Sequence, residues 1–339
     1  MDRILHLIPA KVDGCAYHRI EIPMHNLQGY DLAQSTVLDG VADKDLQQMQ
    51  LVVFHGSGSL LNAEGQIKRL KKMGLPYVVD VDDSWDLDDK HLLHEHYKKV
   101  AAKKLITIMK GASAVTTTIS RLAYKIKKHN KNVVVVPNAI AMNEPQWQLN
   151  EASSNAYGWV GGVHHIEDIR LLVTAFKRFH KENIIDLALG GWSQFNEVYT
   201  LFEIWFSGNG VYDKYKRIEG RDVYNYGYIY DEMNVCLVPL VENKFNICKS
   251  PLKLIEAGFK NKACIVSNTA PYNDDFTSEH VLFVDNKYDW YEAVMKLHNE
   301  PNYILDLKGA LNNYVREKFE IKNVNHLRSQ LYHTLINGR

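Results

Sequence analysis

The sequence predicts two successive α/β domains, each built on a doubly wound parallel sheet. Short Val- and Ile-rich runs alternate with helical patterns along the chain, and such continuous apolar runs are typical of buried parallel strands. Alternation of strand and helix favours a sheet with helices on both faces. The polar, turn-rich stretch 139–155 interrupts this alternation near the middle of the 339 residues, a length that suits two domains.

The predicted elements divide between the two halves of the chain. In the first half we expect strands at 4–9, 51–55, 77–82, 113–118 and 132–138, and helices at 19–28, 60–73, 92–111 and 119–129. In the second half we expect strands at 156–162, 184–191, 213–219, 234–240, 263–268 and 281–285, and helices at 166–180, 194–207, 251–260 and after 285. These elements predict a first domain at 1–140, a linker at 141–155, a second domain at 156–318 and a C-terminal helix at 319–339 that packs back on the first domain.

The composition excludes several classes of protein. Hydrophobic residues make up 46% and charged residues 24% of the chain, which is ordinary for a globular protein and excludes disorder as its main state. No apolar run approaches the roughly 18 residues that a membrane-spanning helix needs, and the N-terminus lacks the pattern of a signal peptide. The four cysteines are scattered, so we expect a cytoplasmic protein without a cysteine zinc site.

Two nucleotide-binding fingerprints of other α/β proteins are weak or missing. Gly56-Ser57-Gly58 follows a predicted strand, but Leu61 stands where a dinucleotide-binding loop needs its third glycine. The phosphate-binding pattern G-x-x-x-x-G-K-[ST] does not occur in the sequence. The sequence therefore disfavours a nicotinamide-dependent dehydrogenase and gives no support to a P-loop nucleotidase.

Charge is polarised, although 40 Lys and Arg balance 40 Asp and Glu. Residues 80–89 contain six carboxylates and no base, whereas residues 91–131 contain ten Lys or Arg and one Glu. Lysine-rich helices are usually solvated surfaces. The alternative is contact with an anionic acceptor or surface, such as acidic lipid or nucleic acid. Four lysines at roughly helical spacing form the candidate stripe: Lys98, Lys99, Lys103 and Lys104.

Ligands of open α/β sheets bind beyond the carboxyl ends of the strands, so the residues after each strand are candidates. Gly14 and Arg19 follow the first predicted strand and suit an anion at a helix start, although an ordinary turn explains them equally well. Gly161 and Gly162, with His164, open the second domain and suit close approach of a phosphate or sugar. A tight turn with solvated histidines is the alternative, and no spaced third ligand indicates a metal.

The stretch 240–258 combines the residue types that bind a nucleotide diphosphate. Ser250 and Pro251 are expected as N-cap and first residue of a helix. Lys249 and Lys253 suit a diphosphate at the helix start, and Glu256, three residues after Lys253, suits a ribose diol. A capped surface helix with a Lys–Glu pair would show the same pattern.

The acidic block follows a predicted strand, so its first carboxylates are expected at the binding edge of the first domain. We interpret Asp82 and Asp83 as acceptor-binding or catalytic carboxylates, and His55, at another strand end, as a residue that positions donor sugar or acceptor. A solvated loop is an equally good explanation. The D-x-D pattern at 80–82 would indicate a metal-bound nucleotide sugar in the GT-A fold, but the double α/β pattern argues against that fold.

Three segments resemble retaining GT-B glycosyltransferases, particularly glycosyltransferase family four. Segment 113–140 resembles the end of their N-terminal domain, 157–176 the start of their nucleotide-binding domain, and 234–268 their signature helix and the following strand. The resemblance is firm over about 113–290 and implies two Rossmann-like domains that face a central cleft. It also implies catalysis in that cleft with retention of anomeric configuration.

The resemblance also implies roles for individual residues. Glu256 matches the second glutamate of the family's E-x7-E motif, which holds the nucleotide ribose, whereas Cys248 stands in place of the first glutamate. Asn246, Ile247 and Lys249 are then expected at the sugar. Lys249, Lys253 and Arg19 are expected at the diphosphate. Backbone near the base is expected at Gly190, Gly191 and Gly220.

The sequence-based hypothesis is a metal-independent glycosyltransferase with no obligatory cofactor and a nucleotide-diphosphate sugar, in first place a UDP-sugar, as its donor substrate. Its acceptor is a glycan, a lipid-linked glycan or a hydroxymethylated DNA base, the last because soluble phage enzymes of this kind exist. One alternative is a sugar-nucleotide epimerase of the same fold. Another is a non-catalytic GT-B-like module that binds nucleic acid or an anionic membrane.

Overall fold

The computed structural model describes residues 1–56, 62–89, 91, 93–150 and 154–338. Parts of the predicted linker and of the Gly56-Ser57-Gly58 turn lie outside these ranges. The chain divides into two compact units. The first comprises Met1–Ala141, Ile247–Ser250 and Phe319–Arg339, and the second comprises Met142–Asn246 and Pro251–Lys318.

The first unit contains a six-stranded parallel sheet with the order β2-β1-β3-β4-β5-β6. Its strands are β1 (Asp2–Leu7), β2 (Tyr30–Ser35), β3 (Leu51–His55), β4 (Tyr77–Val81), β5 (Ala114–Thr117) and β6 (Val133–Val135). Its helical segments are Gly14–Ala16, Tyr17–Glu21, Ile22–His25, Leu38–Gly40, Asp43–Leu46, Ala63–Lys72, His94–His96, Tyr97–Ala101, Ala102–Gly111, Ser120–Ile126 and Ile321–Asn337. Two of them, Tyr17–Glu21 and Tyr97–Ala101, are π-helical turns within longer helices.

The second unit contains a parallel sheet with the order β12-β11-β10-β7-β8-β9. Its strands are β7 (Tyr157–Val160), β8 (Leu187–Trp192), β9 (Tyr215–Glu219), β10 (Val235–Val238), β11 (Ala263–Ser267) and β12 (Leu282–Val284). Its helices of four or more residues are Ile166–Ile169, Val173–Glu182, Glu197–Ser207, Tyr226–Glu232, Leu252–Phe259, Tyr272–Asp275, Trp290–Asn299 and Pro301–Phe319, the last of which reaches the first unit at its final residue. Short 3₁₀ turns lie at Pro145–Trp147, Val163–His165, Arg170–Leu172 and Asn246–Cys248, the last also divided between the units.

Burial on both faces explains why the strands of the first sheet are continuous apolar runs. In β3, Val52 and Phe54 belong to one apolar cluster, whereas Leu51 and Val53 belong to another. Successive side chains of a strand point to opposite faces of the sheet, so both faces of β3 are covered. The prediction of a doubly wound arrangement rests on this property.

Strand β2 was not predicted from the sequence. It contains Asp31, Gln34 and Ser35, and it lies at the edge of the sheet, where it pairs only with β1 among the described strands. An edge strand is solvated along one side and does not need a continuous apolar run. Its polar composition therefore hid it from a search for buried strands.

The C-terminal helix Ile321–Asn337 packs on the first unit. Asn325 donates a 2.9 Å hydrogen bond to the carbonyl of Pro23, and the Tyr30 hydroxyl donates to the carbonyl of Ser329 at 3.0 Å. A short parallel bridge joins Ile140 to Glu320. The chain thus returns to its first unit after completing the second sheet.

A buried ion pair connects the strand ends of the first unit. The Arg19 guanidinium donates two 2.8 Å hydrogen bonds to the Asp80 carboxylate, and both side chains are at most 2% exposed. Thr116 donates to the same carboxylate at 2.6 Å. Arg19 also donates to the side-chain oxygen of Asn138 at 2.9 Å, and the Asn138 amide donates to the Ser250 hydroxyl at 2.8 Å. The network therefore joins the helix after β1 to β4, β5, the loop after β6 and the segment 247–250.

No helix of the described residues is both long and apolar enough to cross a membrane.

We expect Arg19→Met to destabilise the first unit by about 3–5 kcal/mol, because it leaves the buried Asp80 charge without its partner. Urea unfolding followed by circular dichroism measures this loss. The control is Lys99→Met, which removes an exposed ion pair with Glu95 and should cost less than about 1 kcal/mol. Equal effects of the two substitutions would contradict a structural role for the buried pair.

Candidate functional site

A pocket of about 460 Å³ lies at the carboxyl edge of the first sheet. Its polar side chains include His55, Asp82 and Asp83, three residues that the sequence singled out as catalytic or acceptor-binding. His55 ends β3, and the two aspartates directly follow β4. Because neighbouring parallel strands end at one edge of a sheet, this topology brings together side chains that are 27 residues apart.

His55 and Asp82 form an ion pair. The imidazole Nε2 donates to a carboxylate oxygen of Asp82 at 2.7 Å, and the two side chains are 22% and 17% exposed. Burial alone would lower the pKa of His55, but the charge and hydrogen bond of Asp82 outweigh it and raise this pKa to about 9. Burial likewise acts to raise the pKa of Asp82, and the His55 imidazolium outweighs it and lowers this pKa. The pair is therefore ionised at neutral pH.

The pKa of Asp83 shifts in the opposite direction from that of its neighbour Asp82. Burial and the Asp82 charge raise the pKa of Asp83 to about 6, although Lys249 opposes this shift. The pocket thus holds one firmly ionised carboxylate and a second that exchanges a proton near neutral pH. Two carboxylates with different proton affinities are a common arrangement for acid–base chemistry.

Both π-helical turns of the described chain border this pocket. Ala16 lies immediately before the turn Tyr17–Glu21, and Tyr97 and Ala101 belong to the other turn. Such turns occur frequently at functional sites. Sequence reasoning missed Tyr97 and also Cys15, whose thiol pKa is raised by the Asp82 charge and by burial. No short pattern in the sequence marks either residue.

Arg19 and Gly14 do not form the predicted anion site. The guanidinium of Arg19 is buried against Asp80 and Asn138, as described above, and does not line the pocket. Gly14 begins its helix behind the N-cap Asp13, and a Cβ at this position would meet only open space. The Arg19 guanidinium is the partner that the buried Asp80 charge requires, so it is not available to an anion at the helix start.

Glycines crowd the carboxyl edge of the second sheet. Gly191 has a φ of +86°, and a Cβ there would lie 3.0 Å from the carbonyl oxygen of Gly161. A Cβ on Gly190 would lie 2.6 Å from the side chain of Ile229, and one on Gly220 would lie 3.2 Å from the Trp192 carbonyl oxygen. These positions exclude side chains, so backbone groups line this edge. Gly162 is exposed and has open space around it.

Lys253 and Glu256 lie on the helix Leu252–Phe259 of the second unit. The Lys253 ammonium donates to the carbonyl of Val160 at 2.8 Å and lies 2.7 Å from the position of a Cβ on Gly161. Glu256 is 3% exposed and accepts a 2.6 Å hydrogen bond from the Tyr230 hydroxyl. The structure therefore places Lys253 next to Gly161, the first residue after β7. Glu256 lies about one turn further along the helix.

A second polar network supports the loop after β10. His165 pairs with Asp168 at 2.7 Å, and Asp168 accepts from the backbone of Val241 at 2.8 Å and from the Asn246 amide at 3.3 Å. Asn246 is 6% exposed, so its side chain is occupied in holding this loop. The predicted His164 is exposed, whereas its neighbour His165, which the sequence did not single out, makes the structural contact.

The residues just before Pro251 belong to the first unit. Lys249 and Ser250 lie in the segment Ile247–Ser250 of the first unit. Lys253 and Glu256 belong to the second unit. Ser250 is not the N-cap: that position is Pro251, and the Ser250 hydroxyl accepts from Asn138. The hydroxyl is thus used by the buried Arg19 network. Cys248 packs in an apolar cluster of the first unit.

The lysines of the helical stretch 94–111 do not belong to the described lining of the pocket. Lys98, Lys99 and Lys103 are exposed and Lys104 is half-buried, whereas Tyr97, Ala101 and Leu105 line the pocket at a spacing of four residues. Lys99 pairs with Glu95. Within the described ranges, no group of three His, Cys, Asp or Glu side chains is arranged to hold a metal ion.

No protein-family profile matches the chain, and no curated protein matches its sequence. Solved structures do match its fold. A sucrose-phosphate synthase from Thermosynechococcus elongatus is similar over 100% of both chains, with a TM-score of 0.76 and 12% identity. A glycosyltransferase from Rickettsia africae is similar over 100% of this chain and 99% of its own, with a TM-score of 0.73 and 10% identity.

HepE from Anabaena, solved in complex with UDP and glucose, is similar over 98% of this chain and 100% of its own, with a TM-score of 0.71 and 9% identity. At such low identity the likeness establishes the fold alone. The chain has the GT-B fold of two Rossmann-like domains.

We expect Asp82→Asn to lower the pKa of His55 from about 9 toward its ordinary value of about 6.5, because the charge that opposes burial most strongly is removed and only the Asp80 charge still raises this pKa. A histidine titration by NMR measures the change, with Asp45→Asn, an exposed substitution in the same unit, as control. Because the pKa of His55 is raised and that of Asp82 is lowered in the folded protein, the pair stabilises the fold fully between about pH 4 and pH 6.5. This stabilisation is lost as pH rises through about 9 and as pH falls below about 4 toward the lowered pKa of Asp82. An unchanged His55 titration in Asp82→Asn would show that the pair does not set this pKa.

Proposed function

We propose that the protein is a glycosyltransferase that moves a sugar from a nucleotide-diphosphate sugar to an acceptor hydroxyl. The observation that carries this proposal is the fold likeness to glycosyltransferases over essentially the whole of both chains. The complex of HepE with UDP and glucose supports a UDP-sugar as donor. The arrangement of residues in each unit supports the same activity.

In this proposal the second unit binds the donor. The strand ends of this unit carry Gly161, Gly191 and Gly220, where a Cβ would meet close neighbours, and backbone without side chains suits close approach of a diphosphate and a base. Lys253, at the start of its helix, supplies a positive charge beside Gly161, and Glu256 lies where a carboxylate would accept hydrogen bonds from a ribose diol. Stabilising the departing diphosphate is then the work of Lys253 and the helix N-terminus.

The first unit binds the acceptor. The ionised Asp82 and the half-buried Asp83 accept hydrogen bonds from acceptor hydroxyls, and His55 holds Asp82 in position. Asp83, with a pKa of about 6, is the group suited to take up the proton that the acceptor hydroxyl loses. Exposed Lys98, Lys99 and Lys103 are proposed to contact an anionic surface or carrier of the acceptor.

Product analysis tests this proposal against its rivals. UDP-sugars are incubated with and without a mixture of sugar acceptors, and the products are identified by mass spectrometry and NMR. Glycosylated acceptor with the α-anomeric configuration of the donor supports a retaining transferase. Conversion of the donor sugar without any acceptor indicates an epimerase. Salt-sensitive binding to DNA or anionic liposomes without UDP binding indicates a non-catalytic module.

We expect Lys253→Met to weaken UDP binding by about tenfold to a hundredfold, because the diphosphate loses a charged hydrogen-bond donor. Uridine carries no phosphate, so its affinity should stay unchanged. Titration calorimetry measures both ligands, with Lys181→Met as an exposed control in the same unit. Loss of uridine binding as well would point to a disturbed fold rather than to a lost phosphate contact.

We expect Glu256→Gln to weaken binding of UDP and uridine alike, by about tenfold or more, because an amide is a poorer partner than a carboxylate for the ribose diol. Wild-type protein should prefer UDP to 2′-deoxy-UDP, and Glu256→Gln should reduce that preference. Tyr230→Phe, which removes the 2.6 Å hydrogen bond to Glu256, should give a smaller loss. Calorimetry that finds equal UDP affinity in Glu256→Gln would refute the assignment.

A further inference from the structure

The described lining of the pocket in the first unit is rich in carboxylates, and the cation among these residues, the His55 imidazolium, is bound by Asp82. Its described lining includes Asp13, Asp82, Asp83 and His55, and it includes neither Lys nor Arg. A phosphate group placed there would meet two or three negative side chains within a partly buried space, where charges interact more strongly than in water.

Three of the described cations near this pocket already interact with carboxylates. The His55 imidazole lies 2.7 Å from Asp82, and Arg19 is buried against Asp80. Lys249 acts on Asp83 from outside the lining. Binding a phosphate would require one of these groups to leave a carboxylate, which is costly for a buried pair.

The remaining surface of the pocket suits a sugar ring. Tyr97, Ala101 and Leu105 form one stripe of the helix that lines it, and Val37 and Val81 add further apolar surface. A volume of about 460 Å³ lies within the range of small-molecule sites. An aromatic side chain beside carboxylates suits a ring with apolar C–H faces and hydroxyl edges.

We propose that this pocket binds the reacting sugar ring of the acceptor, either uncharged or carrying an amine, and that it excludes a ring that itself bears a phosphate. The proposal rests on the glycosyltransferase function above. In the transfer, the acceptor oxygen bonds to the anomeric carbon, and the bond from that carbon to the diphosphate breaks. The nucleoside diphosphate leaves with the electron pair, and the acceptor proton passes to Asp83.

Matched acceptors test the inference. Methyl glucoside, glucosamine, glucose 6-phosphate and a hydroxymethylated DNA oligonucleotide are compared by transfer rate, and by saturation-transfer NMR in the presence of UDP. We expect kcat/KM for methyl glucoside and glucosamine to be at least about tenfold higher than for the other two acceptors. Where transfer is slow, we expect the same difference in binding affinity. Equal or better use of the phosphate ester or the oligonucleotide would overturn the inference, as would failure of both non-phosphorylated sugars to bind or react.

Two variants locate the effect in the pocket. Asp83→Asn should reduce the difference in kcat/KM between the phosphorylated and the uncharged sugars. Ala101→Lys should raise kcat/KM for glucose 6-phosphate by about tenfold. Asp45→Asn, exposed in the same unit, should leave the ratio unchanged. An unchanged ratio in both pocket variants would also overturn the inference.

Failure of the inference and failure of the proposed function give different results. UDP binding is measured by calorimetry in the same preparations. UDP binding together with preference for a phosphorylated acceptor refutes only the inference, whereas absence of UDP binding and of any transfer or donor hydrolysis refutes the glycosyltransferase function itself.

Discussion

The buried ion pair between Arg19 and Asp80 holds the binding edge of the first unit in place. A charge in a protein interior requires a partner and further hydrogen bonds, and here Thr116 and Asn138 provide them. Asp80 on β4 is paired in register with His55 on β3. Fixing Asp80 therefore also fixes the loop after β4, which carries Asp82 and Asp83. The pocket therefore depends on a charge pair that does not itself line it.

The two units divide two kinds of chemistry. The first unit presents carboxylates and an imidazolium, which suit the hydroxyl groups of an acceptor. The second presents backbone at Gly161 and Gly191 together with the ammonium of Lys253, which suit a diphosphate. Asp82 and Asp83 thus belong to one unit and Lys253 to the other. The near-zero net charge of the whole chain conceals this difference.

Cys248 stands where the E-x7-E motif of the resembled family has its first glutamate. At the position where the resemblance leads us to expect a glutamate, the chain has a thiol that packs with the apolar side chains of the first unit, beside Ile247. Burial raises the pKa of this thiol, even though Lys125 opposes the shift. The segment 247–250 therefore contributes apolar packing and the Ser250 hydroxyl.

The local pattern of the sequence predicted most of the fold, because most buried parallel strands are apolar runs. Eleven of the twelve strands in the described residues overlap a predicted strand, the polar edge strand β9 among them. The local pattern also singled out His55, Asp82 and Asp83, because ligands of these folds gather at strand ends. The sequence did not predict strand β2, a polar edge strand without a continuous apolar run. It also did not predict that Arg19 pairs with Asp80 or that Tyr97 lines the pocket. Those features arise from contacts between residues far apart in the chain, such as the 61 positions between Arg19 and Asp80. Local composition carries the periodicity of each element, whereas only packing in three dimensions decides which charge is buried against which.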